Sequence, residues 1–192
     1  VANFALFALM HEATHGLAAV SRRLNDGLGV VCGWAFPQAF TLQRQAHMGH
    51  HRRNRTDEDL YDYHLPHQSR WLRNLWLYLG NLLGGYYVGV LWGNLVYVLG
   101  QPVFRSRWFR EVYAQKLGFA AYVRDLLDLP YWRVSAEIVL AFAYQALVFW
   151  ALDLTAWGYG LAIAAFALYW SALQYVIHAW SARDVRLGAW NL

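Results

Sequence analysis

Two histidine-rich stretches of this sequence could bind a metal ion. The stretch HEATHG contains His11 and His15, and the stretch HMGHH contains His47, His50 and His51. Residues four apart on a helix project from the same face, with Cβ atoms about 5–6 Å apart, so each stretch can direct two or more imidazoles to one point. Neutral imidazole suits Zn, Cu, Fe and Ni, so the type of ligand does not by itself select the metal.

The number of histidines narrows the choice of metal site. His11, Glu12 and His15 form the H-E-x-x-H pattern of zinc peptidases, in which two imidazoles bind zinc and the glutamate activates a water. Such a zinc needs only three protein ligands, and HMGHH supplies three further imidazoles. A membrane electron carrier with a bis-histidine haem is the non-enzymatic alternative, and it does not use three histidines on one turn. The count favours a site for two metal ions.

The composition predicts an integral membrane protein. Hydrophobic residues make up 58% of the sequence and charged residues only 15%, whereas an ordinary soluble domain is about 25% charged. Cys32 is the only cysteine, which excludes an internal disulfide and thiolate metal sites. All basic residues except Lys116 are arginines, a bias that indicates a GC-rich prokaryotic genome. We expect one membrane domain over residues 1–192, and the apolar start at Val1 indicates that the natural protein extends further.

The last two apolar runs predict a transmembrane helical hairpin. They cover residues 134–152 and 156–180, and each has close to the roughly 20 residues that a span needs. A short turn at Asp153, without arginine, joins them. Arg133 precedes the first run and Arg183 follows the second, and positive charge collects on the cytoplasmic side of a membrane. Both outer ends of this hairpin are therefore expected to face the cytoplasm.

Three earlier apolar runs are expected to end at the same face. Residues 1–20 stop just before two arginines, which places HEATHG near the cytoplasm. Residues 28–43 form a short apolar run that is interrupted by Pro37 and flanked by arginines. This run should lie along the membrane or dip into it. Residues 75–100 also lie between arginines and should form a re-entrant or interfacial hairpin that bends near the glycine pair at Gly84. The predicted fold is an all-α transmembrane bundle with a cytoplasmic-side histidine cluster.

With these motifs on one face, the sequence resembles the integral-membrane fatty acid desaturase and hydroxylase superfamily. Proteins of this family hold a non-haem di-iron centre with three histidine boxes. HEATHG resembles the first box through His11 and His15, and HMGHH resembles the second through the three histidines that begin at His47. No H-x-x-HH occurs up to Leu192. We therefore expect the third box within roughly 40 residues beyond that point, if connections stay short, and we expect a chain without it to bind iron poorly and to be inactive.

The resemblance implies roles for three more residues. In acyl-CoA desaturases of the family, an amide residue precedes a metal-binding histidine by four positions on the last membrane helix, and Gln174 and His178 match this pattern. Glu12 would then orient a ligating imidazole through its ring N–H instead of activating water. The metal ligands implied are His11, His15, His47, His50, His51 and His178.

The function implied by the resemblance is oxidation of a lipid. Two iron ions would use O2 and electrons from an external donor of the ferredoxin, rubredoxin or cytochrome b5 type to desaturate or hydroxylate an acyl chain. The partners expected are the lipid bilayer, this substrate and the donor, without nucleic acid. The location expected is the bacterial inner membrane, with the active site facing the cytoplasm and arginines available for docking. A membrane zinc metalloprotease and a haem-binding electron carrier remain the alternatives.

Overall fold

The computed structural model describes residues 2–53, 56, 64, 66–117 and 119–178. Within these residues all regular structure is helical, and no β-strand occurs. The α-helices, in chain order, are α1 (Ala2–His15), α2 (Arg22–Ala35), α3 (Phe40–Arg53), α4 (Arg70–Leu82), α5 (Gly85–Leu99), α6 (Gln101–Arg105), α7 (Ala114–Leu117), α8 (Ala120–Leu127), α9 (Tyr131–Ala151) and α10 (Ala156–His178), with a π-helical segment at Phe109–Tyr113 before α7. The predicted all-α fold is confirmed.

Helices α9 and α10 form the predicted membrane hairpin. They have 21 and 23 residues, and by length and composition both are able to cross a membrane. Asp153, with a φ of 46°, lies in the turn between them. Trp132 and Trp150 are exposed at opposite ends of α9, about 27 Å apart at 1.5 Å per residue. Indole rings prefer the membrane interfaces, and this distance is close to the thickness of the hydrocarbon core.

Helices α4 and α5 form the predicted bent hairpin. Their axes differ by 89°, and together they could serve as a third, broken span or as a re-entrant loop. Gly84 joins them with a φ of 76°, a left-handed conformation that glycine adopts without strain. A Cβ atom at this position would lie 2.9 Å from the Cβ of Ala167 on α10. The bend therefore requires glycine both for its backbone conformation and for its close approach to α10.

Helices α2 and α3 form a hairpin that bends at Pro37. The side chain of Gln145, in the second half of α9, donates hydrogen bonds to the carbonyls of Trp34 and Ala35 at the end of α2 (2.6 and 3.1 Å). Asn94 of α5, fully buried, donates to the Pro37 carbonyl at 2.9 Å. Irregular backbone persists at membrane depth only where protein groups pair with it. Residues 28–43 thus form a helix–turn–helix whose turn is paired with groups of α5 and α9; whether it lies along the membrane or dips into it stays a prediction.

Helix α1 ends earlier than its apolar run. The run continues to Val20, but the helix stops at His15, because Gly16 has a φ of 80°. The apolar face of α1 joins the largest buried cluster through Phe7, which contacts Trp170 of α10 at a ring-centroid distance of 5.1 Å. This packing holds the last turn of α1, with its two histidines, beside α3.

Candidate metal centre

Four histidines from two helices converge on one point. His11 and His15 lie on α1, and His47 and His51 lie on α3. Each offers one ring nitrogen, and the four nitrogens all lie within 4.8 Å of one another. Nε2 of His47 is 3.1 Å from Nε2 of His15 and 2.9 Å from Nε2 of His51. The i, i+4 spacing places two imidazoles on one face of each helix, and the packing of α1 against α3 brings the two pairs together.

This donor set suits a divalent transition metal. Two imidazole nitrogens bound cis to one metal, each about 2.0–2.1 Å from it, are about 3 Å apart, close to the spacing around His47. Burial first, and then the neighbouring histidine rings, lower the pKa of His47 to about 2. Burial also lowers the pKa of His15. Metal binding requires neutral imidazole, and the lowered pKa values of His47 and His15 favour that form of these two rings.

His50 lies beside this four-histidine group and is not part of it. Its ring centroid is 6.2 Å from that of His47 and 5.8 Å from that of His51. Being three residues after His47, it projects from the edge of the same helix face and is half-buried. Its role as a ligand stays a prediction.

Glu12 contacts a histidine of the group, in agreement with an orienting role. Its Oε1 lies 3.3 Å from Nδ1 of His11, and its side chain is 51% exposed. When the Nδ1–H group of the neutral ring donates a hydrogen bond to the carboxylate, Nε2 is the ring nitrogen with a free lone pair. The carboxylate can therefore fix both the tautomer and the ring orientation of His11.

Gln174 lies on α10 one turn after the aromatic contacts between α1 and α10. Phe4 contacts Tyr169, and Phe7 contacts Trp170, so α1 packs against α10 through these rings. Gln174 is buried, with 9% of its surface exposed, and it follows Trp170 by four residues. His178 is the last residue of α10, and its side chain lies outside the described part of the chain.

An arginine ties the two histidine-bearing helices to each other. Arg44 of α3 donates a hydrogen bond of 2.9 Å to the carbonyl of Ala13, which lies between the two histidines of α1. The same guanidinium nitrogen bonds to Oδ1 of Asp26 at 2.6 Å and thereby lowers the pKa of that carboxyl. Asn25 donates to the Ala13 carbonyl as well, at 2.9 Å. This network sets the separation of α1 and α3, and the sequence analysis did not find it because no motif links its members.

The end of α3 is fixed by a carboxylate on α8. Oδ2 of Asp125 accepts hydrogen bonds from Arg53 at 2.7 Å and from Arg52 at 3.1 Å. The Arg53 guanidinium also lies over the Tyr122 ring, 4.5 Å from its centroid. A Cβ atom at Gly49 would lie 2.5 Å from the Arg53 guanidinium, so glycine permits this close packing. Both arginines at the end of α3 are therefore paired with the Asp125 carboxylate.

The comparison with known families agrees with this geometry. A model of the family described as fatty acid desaturase matches residues 1–191 of the chain. No curated protein and no solved structure shows a significant match.

Proposed function

The chain belongs to the fatty acid desaturase family, and we propose on that premise that it is a membrane-bound, non-haem di-iron enzyme that desaturates or hydroxylates an acyl chain with O2. The family makes the chain a lipid-modifying oxidoreductase. The main observation in favour of a di-iron centre is that four imidazole nitrogens lie within 4.8 Å of one another. They come from the helices that bear the first and second boxes. His50 and His178 are the further ligands proposed.

Bound iron would supply an oxidant strong enough to remove hydrogen from an unactivated C–H bond. The residues of the chain have other tasks. The four imidazoles and Glu12 orient the site, while the aromatic layer that includes Phe7, Phe36 and Trp170 lies next to it, with Phe7 and His11 at a ring-centroid distance of 6.3 Å. This layer excludes water from one side of the centre and offers an apolar surface to an acyl chain.

Two features argue against the alternative functions. A catalytic zinc of a peptidase has three protein ligands and an open position, whereas four histidines meet here. A bis-histidine haem needs one imidazole on each face of a porphyrin ring, whereas the His47 ring directly contacts those of His15 and His51, with nitrogens 3.1 and 2.9 Å apart. Neither alternative accounts for the family membership.

The product identifies the reaction. The full-length protein is expressed in a bacterial host together with an electron donor, and the host lipids are analysed by mass spectrometry. A new double bond or hydroxyl group on an acyl chain is expected, and it should disappear in the His47→Ala variant. An unchanged lipid profile in the presence of iron-loaded protein would contradict the proposal. In the same system Glu12→Gln should keep some turnover, whereas a peptidase would lose all activity with its metal still bound.

We further propose that the enzyme lies in the bacterial inner membrane with the metal centre facing the cytoplasm, and that exposed arginines dock the electron donor. Arg70, Arg105, Arg107 and Arg110 are exposed, and an acidic ferredoxin, rubredoxin or cytochrome b5 would be attracted to them. Turnover with the donor should then fall steeply as the salt concentration rises. Turnover that does not depend on salt would reject this docking surface.

A further inference from the structure

Glu137 is an acidic side chain buried inside a membrane-spanning helix. It lies in α9, and only 7% of its surface is exposed. Its carboxylate accepts two hydrogen bonds from Thr41 of α3, one from the backbone N–H at 2.8 Å and one from the hydroxyl at 2.6 Å. Arg133, one turn earlier on α9, donates a third bond at 3.2 Å. Burying an acidic group within a membrane span costs free energy. Such a group is therefore expected to have a function, which its hydrogen-bond partner helps to identify.

The partner of Glu137 is the beginning of the helix that bears the second box. Thr41 is the second residue of α3, and its N–H is one of the first four that lack an acceptor within a helix. Ala39, which precedes α3, has no side-chain oxygen that could cap it. Glu137 provides the missing acceptor from a different helix, and its negative charge interacts favourably with the positive end of the helix dipole.

The cap sets the level of α3 relative to the membrane span. Along α3, His47 lies about 9 Å beyond Thr41, at 1.5 Å per residue. Glu137 lies about 9 Å along α9 from the first residue of that helix, Tyr131, by the same rise. Helix α3 runs toward this end of α9, because its last residues bind Asp125 on the preceding helix. His47 and the start of α9 are therefore displaced by similar distances from the contact between Thr41 and Glu137.

We propose that Glu137 is a positioning residue for the metal centre. By capping α3 from the membrane span, its carboxylate fixes the height and rotation at which His47 and His51 face the histidines of α1. This inference rests on metal binding by the four-histidine group. Ordinary packing is the competing explanation, because Ala39 and Leu42 also pack against Val134 and Ile138 of α9.

Cobalt(II) binding separates the two explanations. The full-length protein is purified in detergent without metal, and binding of Co²⁺ is followed by its visible absorption, well below the thermal midpoint of each variant. Glu137→Ala leaves both Thr41 donors unpaired and should weaken Co²⁺ binding by about tenfold, the lower end of the loss seen when a group supporting a metal ligand is removed. It should also change the absorption bands. Glu137→Gln keeps one acceptor oxygen and should restore most of the affinity.

Ile138→Ala is the matched control, because it removes packing between α9 and α3 and leaves the cap in place. It should lower the thermal midpoint while the Co²⁺ spectrum and affinity stay those of the unsubstituted protein. Equal losses of affinity in Glu137→Ala and Ile138→Ala at equal thermal destabilisation would overturn the proposal, as would an unchanged Co²⁺ spectrum in Glu137→Ala.

Two further outcomes are decisive. If Glu137→Ala does not fold, Thr41→Val takes its place. This variant removes only the hydrogen bond from the Thr41 hydroxyl to Glu137. It should still change the Co²⁺ absorption bands, so unchanged bands would overturn the proposal. If the unsubstituted protein binds no Co²⁺, the metal centre itself is refuted, an outcome distinct from a cap that does not affect binding.

Discussion

His47 stands at the centre of the four-histidine group. Its Nε2 contacts the ring nitrogens of both His15 and His51, so it connects the first box to the second. We expect His47→Ala to lose more bound iron than any other single substitution on α3, because the remaining nitrogens no longer surround one point. Metal analysis of the purified variant tests this. His67 is an exposed histidine beside the Lys116 carbonyl, and the control variant His67→Ala should keep its iron. Equal loss of iron in His47→Ala and His67→Ala would contradict the assignment of His47 as a ligand.

The lowered pKa of His47 predicts how the stability of the metal-free protein depends on pH. Between the folded pKa of about 2 and the unfolded value near 6.5, the unfolded chain binds more protons than the folded chain. Stability therefore falls as the pH decreases below about 6.5, by at most about 1.4 kcal/mol per pH unit for this residue. The lowered pKa of His15 acts in the same direction. Thermal unfolding in detergent at pH 7.5 and pH 5 should show the loss.

His47→Leu provides the test of that cause, because leucine does not titrate. This variant should lose less stability between pH 7.5 and pH 5 than the unsubstituted protein, while His67→Ala should lose as much. A pH dependence that is the same in His47→Leu and in the unsubstituted protein would assign the effect to other groups.

At the scale of elements, the hairpin of α2 and α3 is held by hydrogen bonds from side-chain amides on other helices. Gln145→Leu leaves the carbonyls of Trp34 and Ala35 without their donor and the Tyr159 hydroxyl without its acceptor. We expect a loss of about 1–3 kcal/mol, the usual cost of a buried polar group left unpaired. Chemical or thermal unfolding in detergent measures it.

The control for this prediction is Gln101→Leu. Its amide donates to the Tyr97 carbonyl near the end of α5 and accepts from Arg105 on α6, so both partners lie within four residues along the chain. This change should alter stability much less than Gln145→Leu. Equal effects of the two substitutions would show that the interhelical bonds of Gln145 do not hold the hairpin.

The sequence predicted some elements well because their signals are local. Pro37 and Gly84 marked both bends, and the length of residues 134–152 marked the first span. The end of α1 at His15 was missed, since hydrophobicity continues through Val20 and only the backbone conformation of Gly16 stops the helix. An apolar run predicts which residues are buried, and it does not predict where the backbone hydrogen bonds of a helix end.

The groups that orient the metal site could not be predicted in the same way. The histidines were recognisable because their spacing on one helix is fixed by the helix itself. The contacts of Arg44 with Ala13 and of Glu137 with Thr41 join residues on different helices. Such pairs depend on the packing of α1, α3 and α9, which no spacing along the chain reveals. Each acidic or basic residue alone was consistent with an ordinary exposed position.

At the scale of the molecule, the topology can be tested with single cysteines. The natural Cys32 is buried, so background labelling should be low. A cysteine in place of Asp153, in the turn between the two spans, should react with a membrane-impermeant maleimide added to intact cells. A cysteine in place of Arg23 should react only after the cells are opened. The reverse pattern would place the histidines on the outer face and contradict the proposed orientation.

The metal content of the full-length protein decides whether the histidines of α1 and α3 form part of a di-iron centre. The protein is purified from membranes of iron-supplied cells and analysed for all transition metals. We expect about two iron ions per chain, with little zinc, and loss of iron in His47→Ala. A single zinc per chain, with no iron after reconstitution, would refute the di-iron centre and favour a zinc peptidase.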